Sequence, residues 1–244
     1  MAKKLLAQGG AMSNQFGFAV AVAGDVAVVG APQYDDPDPD VGAVYVFERN
    51  AAGTNTWQQV KRLEPPEGEG HELFGCAVGV DGDVIVVGMR GDSSYGQDAG
   101  SAYVFERNLG GTNNWGQAMK LRASDATASS YFGVSVAVAG DVAVVGASGN
   151  NAARGAAYVF ERNVPGTNFW GQVKKLTAFD AVSGHNFGGA VAVDGDVIVV
   201  GAIGVNVFGA FSGAAYVFER NLDGTNSWKH AQKVLPPFGA EIKL

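Results

Sequence analysis

The hexapeptide Tyr45-Val46-Phe47-Glu48-Arg49-Asn50 decides the fold, because it recurs letter for letter at residues 103–108, 158–163 and 216–221. Successive copies start 55 to 58 residues apart, so the chain is one unit written four times. A period of this length is typical of solenoids and propellers, whose units bury their apolar faces only against neighbouring units. We therefore interpret residues 1–244 as a single repeat domain.

Each unit reads as four short strands. In the first unit, an apolar run ends at Val22, a Gly24-Asp25 turn follows, and further strand-like runs span 26–31, 43–49 and 57–63. A Gly-Asp pair between β-branched runs indicates a tight hairpin. The first two strands are apolar on both sides, which predicts cover on both faces, whereas the fourth carries Lys61 and Arg62, as an exposed edge does. We predict an all-β propeller of four-stranded antiparallel blades, with no helix.

Comparison of the units adds a second level of repetition. We place the blades approximately at residues 11–63, 64–121, 122–176 and 177–235, with 1–10 and 236–244 as closing or capping segments. Units one and three share Ala-Gly-Asp-Val-Ala-Val-Val-Gly-Ala from Ala23 and Ala139, whereas units two and four share Val-Asp-Gly-Asp-Val-Ile-Val-Val-Gly from Val80 and Val193. This A-B-A-B order indicates duplication of a two-blade piece, natural or engineered. It predicts an even number of blades: four that close alone, eight in a homodimer, or a longer array of which this chain is a part.

Two short motifs carry a family resemblance. Phe16-Gly17, followed by Gly30-Ala31-Pro32, resembles the FG-GAP repeat of the integrin α-chain propeller and its bacterial relatives. The pattern recurs at Phe74-Gly75 with Gly88, at 132–133 with 146–147, and at 187–188 with 201–202. The resemblance implies a propeller that binds ligands or mediates adhesion, at the cell surface or outside the cell.

The chain departs from that family in two respects. Members often carry an Asp-rich calcium loop between the first two strands, where this chain has only the Gly24-Asp25 turn and its equivalents. Two residues cannot supply the six or more oxygen ligands that calcium requires, so we predict no metal there. Integrin propellers also have seven repeats, and four are present here.

The net charge of the chain and its lack of known catalytic motifs argue against several classes of function. A net charge of −7 argues against nucleic acid and anionic membranes as partners, and no apolar run is long enough for a membrane span or a signal peptide. We find no G-x-S-x-G, phosphate loop, paired cysteines or H-E-x-x-H, and we predict no enzymatic activity and no cofactor. Carboxylates that are present in every unit, such as Asp25 and Glu48, are expected to have the same structural role in each blade and are poor candidates for a single catalytic pair.

Recognition is expected where the units differ. In an up-and-down blade the turns between strands 1 and 2 and between strands 3 and 4 share one face of the disc, and here those turns repeat. The 2–3 loops and the blade-to-blade loops share the other face and diverge, and loops without a packing role commonly carry recognition, although neutral drift explains divergence equally well. The predicted ligand-binding residues are Tyr34, Asp35, Arg90, Asp92, Tyr95, Arg154, Phe208 and Phe211.

Two further sequence features, an acidic stretch and an Arg-Gly-Asp tripeptide, are weaker indications of a binding site. The acidic stretch of Asp35, Asp36, Asp38 and Asp40 contains two prolines and no glycine, so we prefer a solvated loop to a cation cage. We interpret Arg90-Gly91-Asp92 as a chance tripeptide. Three functions stay open: first a module that binds a protein or carbohydrate ligand, then a structural or engineered symmetric scaffold, and last an enzyme acting through the central channel.

Overall fold

The computed structural model describes residues 4–35, 38–49, 56–66, 68, 70–162, 169–222, 224–225 and 227–237. These residues form four four-stranded antiparallel sheets, which confirms the predicted all-β blades. The strands are β1 (Ala19–Ala23), β2 (Val26–Ala31), β3 (Ala43–Arg49) and β4 (Trp57–Leu63) in blade 1; β5 (Phe74–Asp81), β6 (Val84–Met89), β7 (Ser101–Glu106) and β8 (Gly116–Leu121) in blade 2; β9 (Phe132–Ala139), β10 (Val142–Ala147), β11 (Ala156–Glu161) and β12 (Gly171–Leu176) in blade 3; and β13 (Phe187–Asp194), β14 (Val197–Ala202), β15 (Ala214–Arg220) and β16 (Trp228–Val234) in blade 4.

The strands of each blade follow one another in chain order across the sheet. First strands of adjacent blades contact each other, β1 with β5, β5 with β9 and β9 with β13, so they line the axis and the fourth strands lie at the rim. In the first hairpin Ala23 pairs with Val26, and Gly24 has a φ of 54°, as the predicted two-residue turn requires.

One helical turn was not predicted. It is α1 (Asn150–Ala153), in the 2–3 loop of blade 3, and it contains positive φ angles at Asn151, Ala152 and Ala153. Within the described part of the chain, no helix is long and apolar enough to span a membrane.

The hydrophobic core consists of the interfaces between blades. Between blades 1 and 2, for example, Val28 and Val46 pack against Ile85 and Tyr103. The ring of Phe74 meets the Tyr103 ring edge-on, with 5.6 Å between centroids. Equivalent clusters join blades 2 and 3 and blades 3 and 4. This arrangement explains the apolar residues on both sides of the inner strands, since each inner blade is covered by two neighbours.

The Phe-Gly and Gly-Ala motifs face each other across every interface within the chain. A Cβ added at Gly30 of blade 1 would lie 2.1 Å from the carbonyl oxygen of Gly75 in blade 2. A Cβ added at Gly88 would lie 2.0 Å from the carbonyl oxygen of Gly133. A Cβ added at Gly146 would lie 1.9 Å from the carbonyl oxygen of Gly188. Glycine is required at these positions because one backbone lies directly against another. We call each such pair a glycine contact.

A polar clamp also joins neighbouring blades. Trp115 Nε1 of blade 2 donates to Glu48 Oε1 of blade 1 at 3.1 Å, and Arg107 Nη1 lies 3.9 Å from the same oxygen. The clamp recurs at Glu106 with Trp170 and Arg162, and at Glu161 with Trp228 and Arg220. The repeated Glu-Arg pair of the hexapeptide therefore links blades, because Glu48, Glu106 and Glu161 each accept a hydrogen bond from the indole of the next blade and lie within 4 Å of its guanidinium.

The four blades form an open arc whose outer faces are exposed. Val20 and Val22 on the outer face of blade 1 are 69% and 68% exposed. On the outer face of blade 4, Val199 is 37% exposed, whereas its equivalent in blade 2, Val86, is fully buried. Leu5 and Ala7 cover part of the blade 1 face. The other predicted closing segment lies almost entirely outside the described residues, which end at residue 237.

Candidate functional site

The 2–3 loops of blades 1, 2 and 4 share one backbone frame despite their different sequences. In each loop, the residue four positions after the end of the second strand accepts a hydrogen bond through its side chain. The donor is the backbone N–H of the residue five positions further along the chain. The donor–acceptor pairs are Asp40 N to Asp35 Oδ1 at 2.8 Å, Asp98 N to Ser93 Oγ at 3.1 Å, and Phe211 N to Asn206 Oδ1 at 2.6 Å. The donor residue has a positive φ in all three loops. Asp, Ser and Asn favour such turns, and their common position was a signal that the sequence comparison missed.

The residue before each acceptor position anchors the loop. Tyr34, Asp92 and Val205 are buried at this position, and Asn150 is buried in the corresponding place of the shorter blade 3 loop. The four carbonyl oxygens accept hydrogen bonds from the glycines that precede the third strands, at 2.8 to 3.0 Å. Two of the predicted ligand-binding residues, Tyr34 and Asp92, therefore support the loops from inside.

Asp92 is held by an internal ion pair. Its carboxylate is 1% exposed and lies 2.8 Å from Lys120 Nζ, and Oδ1 accepts the backbone N–H of Ser94 at 2.8 Å. Burial tends to raise the pKa of Asp92, but hydrogen bonds from Lys120, Ser101 and Ser94 outweigh burial and lower it. The Arg-Gly-Asp tripeptide accordingly does not present its carboxylate to solvent.

This ion pair makes a testable contribution to stability. Because the pKa of Asp92 is lower in the folded than in the unfolded chain, the pair stabilises the fold above the unfolded pKa of about 3.9, and this stabilisation is lost as the pH falls through the folded pKa. We expect Asp92→Asn to cost about 2 kcal/mol at pH 7 and to flatten the loss of stability as the pH falls below about 4. Urea unfolding across this range measures both effects, with Asp98→Asn of the same loop as control. Equal acid sensitivity of wild type and Asp92→Asn would contradict the prediction.

The other predicted residues are exposed. Asp35, Arg90, Tyr95, Arg154, Phe208 and Phe211 all present side chains to solvent. Arg122 lies over the ring of Tyr95, with its Cζ atom 4.5 Å from the centroid. In the blade 4 loop, Phe208 and Phe211 are accompanied by two exposed apolar residues that we did not predict, Ile203 and Val207. We call Ile203, Val207, Phe208 and Phe211 the blade 4 loop patch.

Arg154 lies at a shallow cleft between blades 3 and 4. The cleft has a volume of about 250 Å³, and its lining includes Asn151, Lys175 and Phe179. Lys175 Nζ is paired with Asp125 Oδ2 at 2.6 Å. Of the predicted residues, only Arg154 lines this cleft, so the structure distributes the candidates over four loops and does not gather them in one pocket.

The acidic loop of blade 1 is only partly described, since Asp36 lies outside the described residues. Asp35 and Asp38 are exposed, and Asp40 Oδ2 lies 3.1 Å from His71 Nδ1. Across the described ranges, no three His, Cys, Asp or Glu side chains are grouped so that they could hold a metal ion.

Four-stranded blades arranged around one axis define a β-propeller scaffold. The FG-GAP repeat family matches residues 2–47, 57–105, 115–160 and 170–218, which is most of the chain, and the chain belongs to this family. Each match begins at the fourth strand of one blade, or at the segment before blade 1, and ends in the third strand of the next. The family repeat is thus offset from the blade by one strand.

Two solved structures show the same fold at low identity. Sqt1 from Chaetomium thermophilum is similar over 85% of this chain and 44% of its own, with 15% identity and a TM-score of 0.52. A europium-containing methanol dehydrogenase is similar over 91% of this chain and 42% of its own, with 11% identity and a TM-score of 0.54. The chain thus spans less than half the length of each. The search of curated proteins gave no match.

Proposed function

We propose that this propeller segment is a non-catalytic binding module that recognises a protein or glycan through its 2–3 loops and blade-to-blade loops. The observation that carries the proposal is that three loops of one backbone frame present different side chains. The described exposed residues are acidic in blade 1, mixed in blade 2 and apolar in blade 4. A constant frame with variable side chains is the arrangement by which scaffolds present recognition residues. Family membership further favours a location outside the cell or at its surface.

The blade 4 loop patch is the part of this face that best fits a protein partner. Ile203 and Phe211 are 65% and 75% exposed. Phe211 also adopts a positive φ, which is unfavourable for a bulky residue and holds the ring outside the fold. Exposed aromatic and aliphatic side chains on one loop are typical of contact sites, because their burial against a partner removes apolar surface from water.

A symmetric scaffold without a dedicated ligand is the second candidate function. It is favoured by the near identity of the repeats, since residues 80–88 and 193–201 have the same sequence. The dehydrogenase activity named for one structural neighbour belongs to that protein, because 11% identity supports the fold alone.

Alanine substitutions separate the two candidates. We expect Tyr95→Ala, Arg154→Ala and Phe208→Ala each to change the free energy of unfolding by less than about 1 kcal/mol, since the side chains are exposed. We also expect at least one of them to lower, by about tenfold or more, the affinity for a ligand found on a glycan array or among purified extracellular-matrix proteins. Leu109→Ala, an exposed change on the opposite face, is the control. Affinity that survives all three changes but is lost in Leu109→Ala would place binding on the other face, and failure of every probe to bind would favour the scaffold.

A further inference from the structure

We propose that the two outer faces of the four-blade arc are the two halves of one interface, and that a second copy of this chain completes an eight-bladed ring. We call the outer face of blade 1, with Val20 and Val22, the leading face, and the outer face of blade 4, with Val197 and Val199, the trailing face. This inference does not depend on the ligand proposed above.

The two outer faces are complementary in their apolar side chains. On every leading face within the chain, the valines equivalent to Val20 and Val22 pack against the preceding blade, as Val136 and Val138 of blade 3 do. On every trailing face within the chain, the valines equivalent to Val197 and Val199 are buried by the following blade. At these positions the two outer faces therefore carry valines like those of the three formed interfaces, but among the described residues no adjacent blade buries them.

The glycine contact is incomplete at both ends of the arc. Gly201 occupies the place of Gly30, Gly88 and Gly146, yet among the described residues a Cβ added there would meet nothing closer than Ala190 Cβ of its own blade, at 3.5 Å. Gly17 occupies the place of Gly75, and a Cβ added there would have no atom within 4 Å in the part of the chain that the structure describes. Gly201 of one copy and Gly17 of another have the residue types of a complete contact.

One hydrogen bond between blades uses a residue that only the B-type blades carry. At the boundary between blades 2 and 3, the Gly140 N–H donates to Asp81 Oδ2 at 2.7 Å. The A-type blades have alanine in the Asp81 position, whereas every blade has a glycine in the Gly140 position, so the bond needs a B-type blade on the preceding side. Asp194 holds the Asp81 position in blade 4, and Gly24 holds the Gly140 position in blade 1. The trailing face therefore carries the acceptor of this bond, and the leading face of a second copy supplies the donor.

The two ends of the arc also carry complementary parts of the polar clamp. Glu219 holds the position of Glu48, and within the described residues it has no arginine or tryptophan of a following blade beside it. Arg49 holds the position of Arg107 and is paired with Asp25 of its own blade, and in the described part of the chain no glutamate takes the place that Glu48 has beside Arg107. Glu219 and Arg49 carry opposite charges at the two ends of the arc, which favours head-to-tail association over contact between like faces.

Two copies are sufficient for closure. A head-to-tail interface gives a closed ring when its rotation closes and an open filament when it does not. The aligned part of the arc corresponds to 44% and 42% of the two neighbouring chains, so two arcs have about the length of one such chain.

Closure also requires an exchange of segments. Leu5 and Ala7 pack on blade 1 in the way that Leu121 and Ala123 of blade 2 pack on blade 3. In a second copy, Val234 and Pro236 hold the Leu121 and Ala123 positions, so they would take the place of Leu5 and Ala7. We expect Leu5→Ser, which weakens the internal contact, to lower the dimer dissociation constant severalfold. An unchanged constant would show that the partner's segment does not take that place.

Light scattering after gel filtration tests the ring. The wild-type chain should have twice the monomer mass of 25.1 kDa, and Val22→Glu and Val199→Glu should each reduce it to the monomer. Both valines are exposed in the single chain, so neither change should unfold it, which the circular-dichroism melt checks. Val173→Glu is the matched control, because Val173 is 37% exposed on the rim strand β12, and it should leave the dimer intact.

Mixing the two variants tests the head-to-tail arrangement. The Val22→Glu chain keeps an intact trailing face and the Val199→Glu chain keeps an intact leading face, so an equimolar mixture should form a dimer through one interface, detectable at higher concentration. Contact between two like faces would instead let one of the two variants dimerise with itself, and mixing would then give no more dimer than that variant forms alone. A wild-type chain that stays monomeric or forms filaments, or a dimer that survives both glutamate substitutions, would overturn the proposal.

Discussion

Replacing Gly88 by alanine is expected to destabilise the chain by about 3 to 5 kcal/mol, because the new methyl group would lie 2.0 Å from the carbonyl oxygen of Gly133 in the next blade. The φ angle of Gly88 is not in the positive range, so alanine fits the local backbone and only the neighbouring blade opposes it. Relief of the clash requires blades 2 and 3 to separate, which weakens the core between them. Equilibrium urea unfolding measures the effect.

Gly201→Ala is a matched control within the same chain. Gly201 ends the same sequence, residues 193–201 against 80–88, but its nearest contact to an added methyl group is 3.5 Å away. We expect a change within about 0.5 kcal/mol, or a small gain, because alanine restricts the unfolded chain. Both substitutions should be made in the Val22→Glu background, which keeps the chain monomeric if the ring forms. Equal costs at the two glycines would show that the neighbouring blade is not the cause.

Trp115→Ala is expected to cost about 3 to 5 kcal/mol, because it removes the largest side chain at the interface of blades 1 and 2 and leaves a cavity. The Trp115 ring is 1% exposed, and Arg107 Cζ lies 4.9 Å from its centroid. Loss of the indole N–H also leaves Glu48 Oε1 without its 3.1 Å hydrogen bond. Thermal and urea unfolding both report this loss.

Two further variants separate the packing from the hydrogen bond. Trp115→Phe keeps most of the ring and removes the donor, and we expect it to cost about 1 to 2 kcal/mol. Trp57→Ala changes the equivalent residue of blade 1, which is partly exposed, so a smaller loss is expected than at Trp115. A cost at Trp57 as large as that at Trp115 would mean that burial between blades is not what makes the tryptophan important.

The strands and hairpins were predictable from sequence because their signals are local. The runs 26–31, 43–49 and 57–63 coincide with β2, β3 and β4, and the Gly-Asp turns form two-residue hairpins. The turn at α1 was not predictable, since Ala152 and Ala153 adopt positive φ angles that alanine disfavours in isolation. Its conformation is imposed by the short connection between two fixed strands.

The exposure of the candidate residues was predictable in part. Exposure of Tyr95, Arg154 and Phe208 follows from their place in polar, turn-rich loops, and the structure shows these side chains in solvent. The inward position of Tyr34 and Asp92 could not be read from the sequence, because the shared loop frame depends on hydrogen bonds between residues whose identities differ from loop to loop. The amino acids differ from loop to loop, although the loops of blades 1, 2 and 4 share one backbone frame.

The sequence by itself determined the four units, their strand order and the residue types that face each neighbour, because these depend on period, alternation and turn chemistry within about 60 residues. Only the tertiary structure decided which of these residues are buried. Val86 and Val199 lie in identical nine-residue sequences, yet Val86 is fully buried and Val199 is 37% exposed. The physical reason is that burial in a repeat protein is supplied by the adjacent repeat, so identical local sequences differ when one of them lies at the end of the arc.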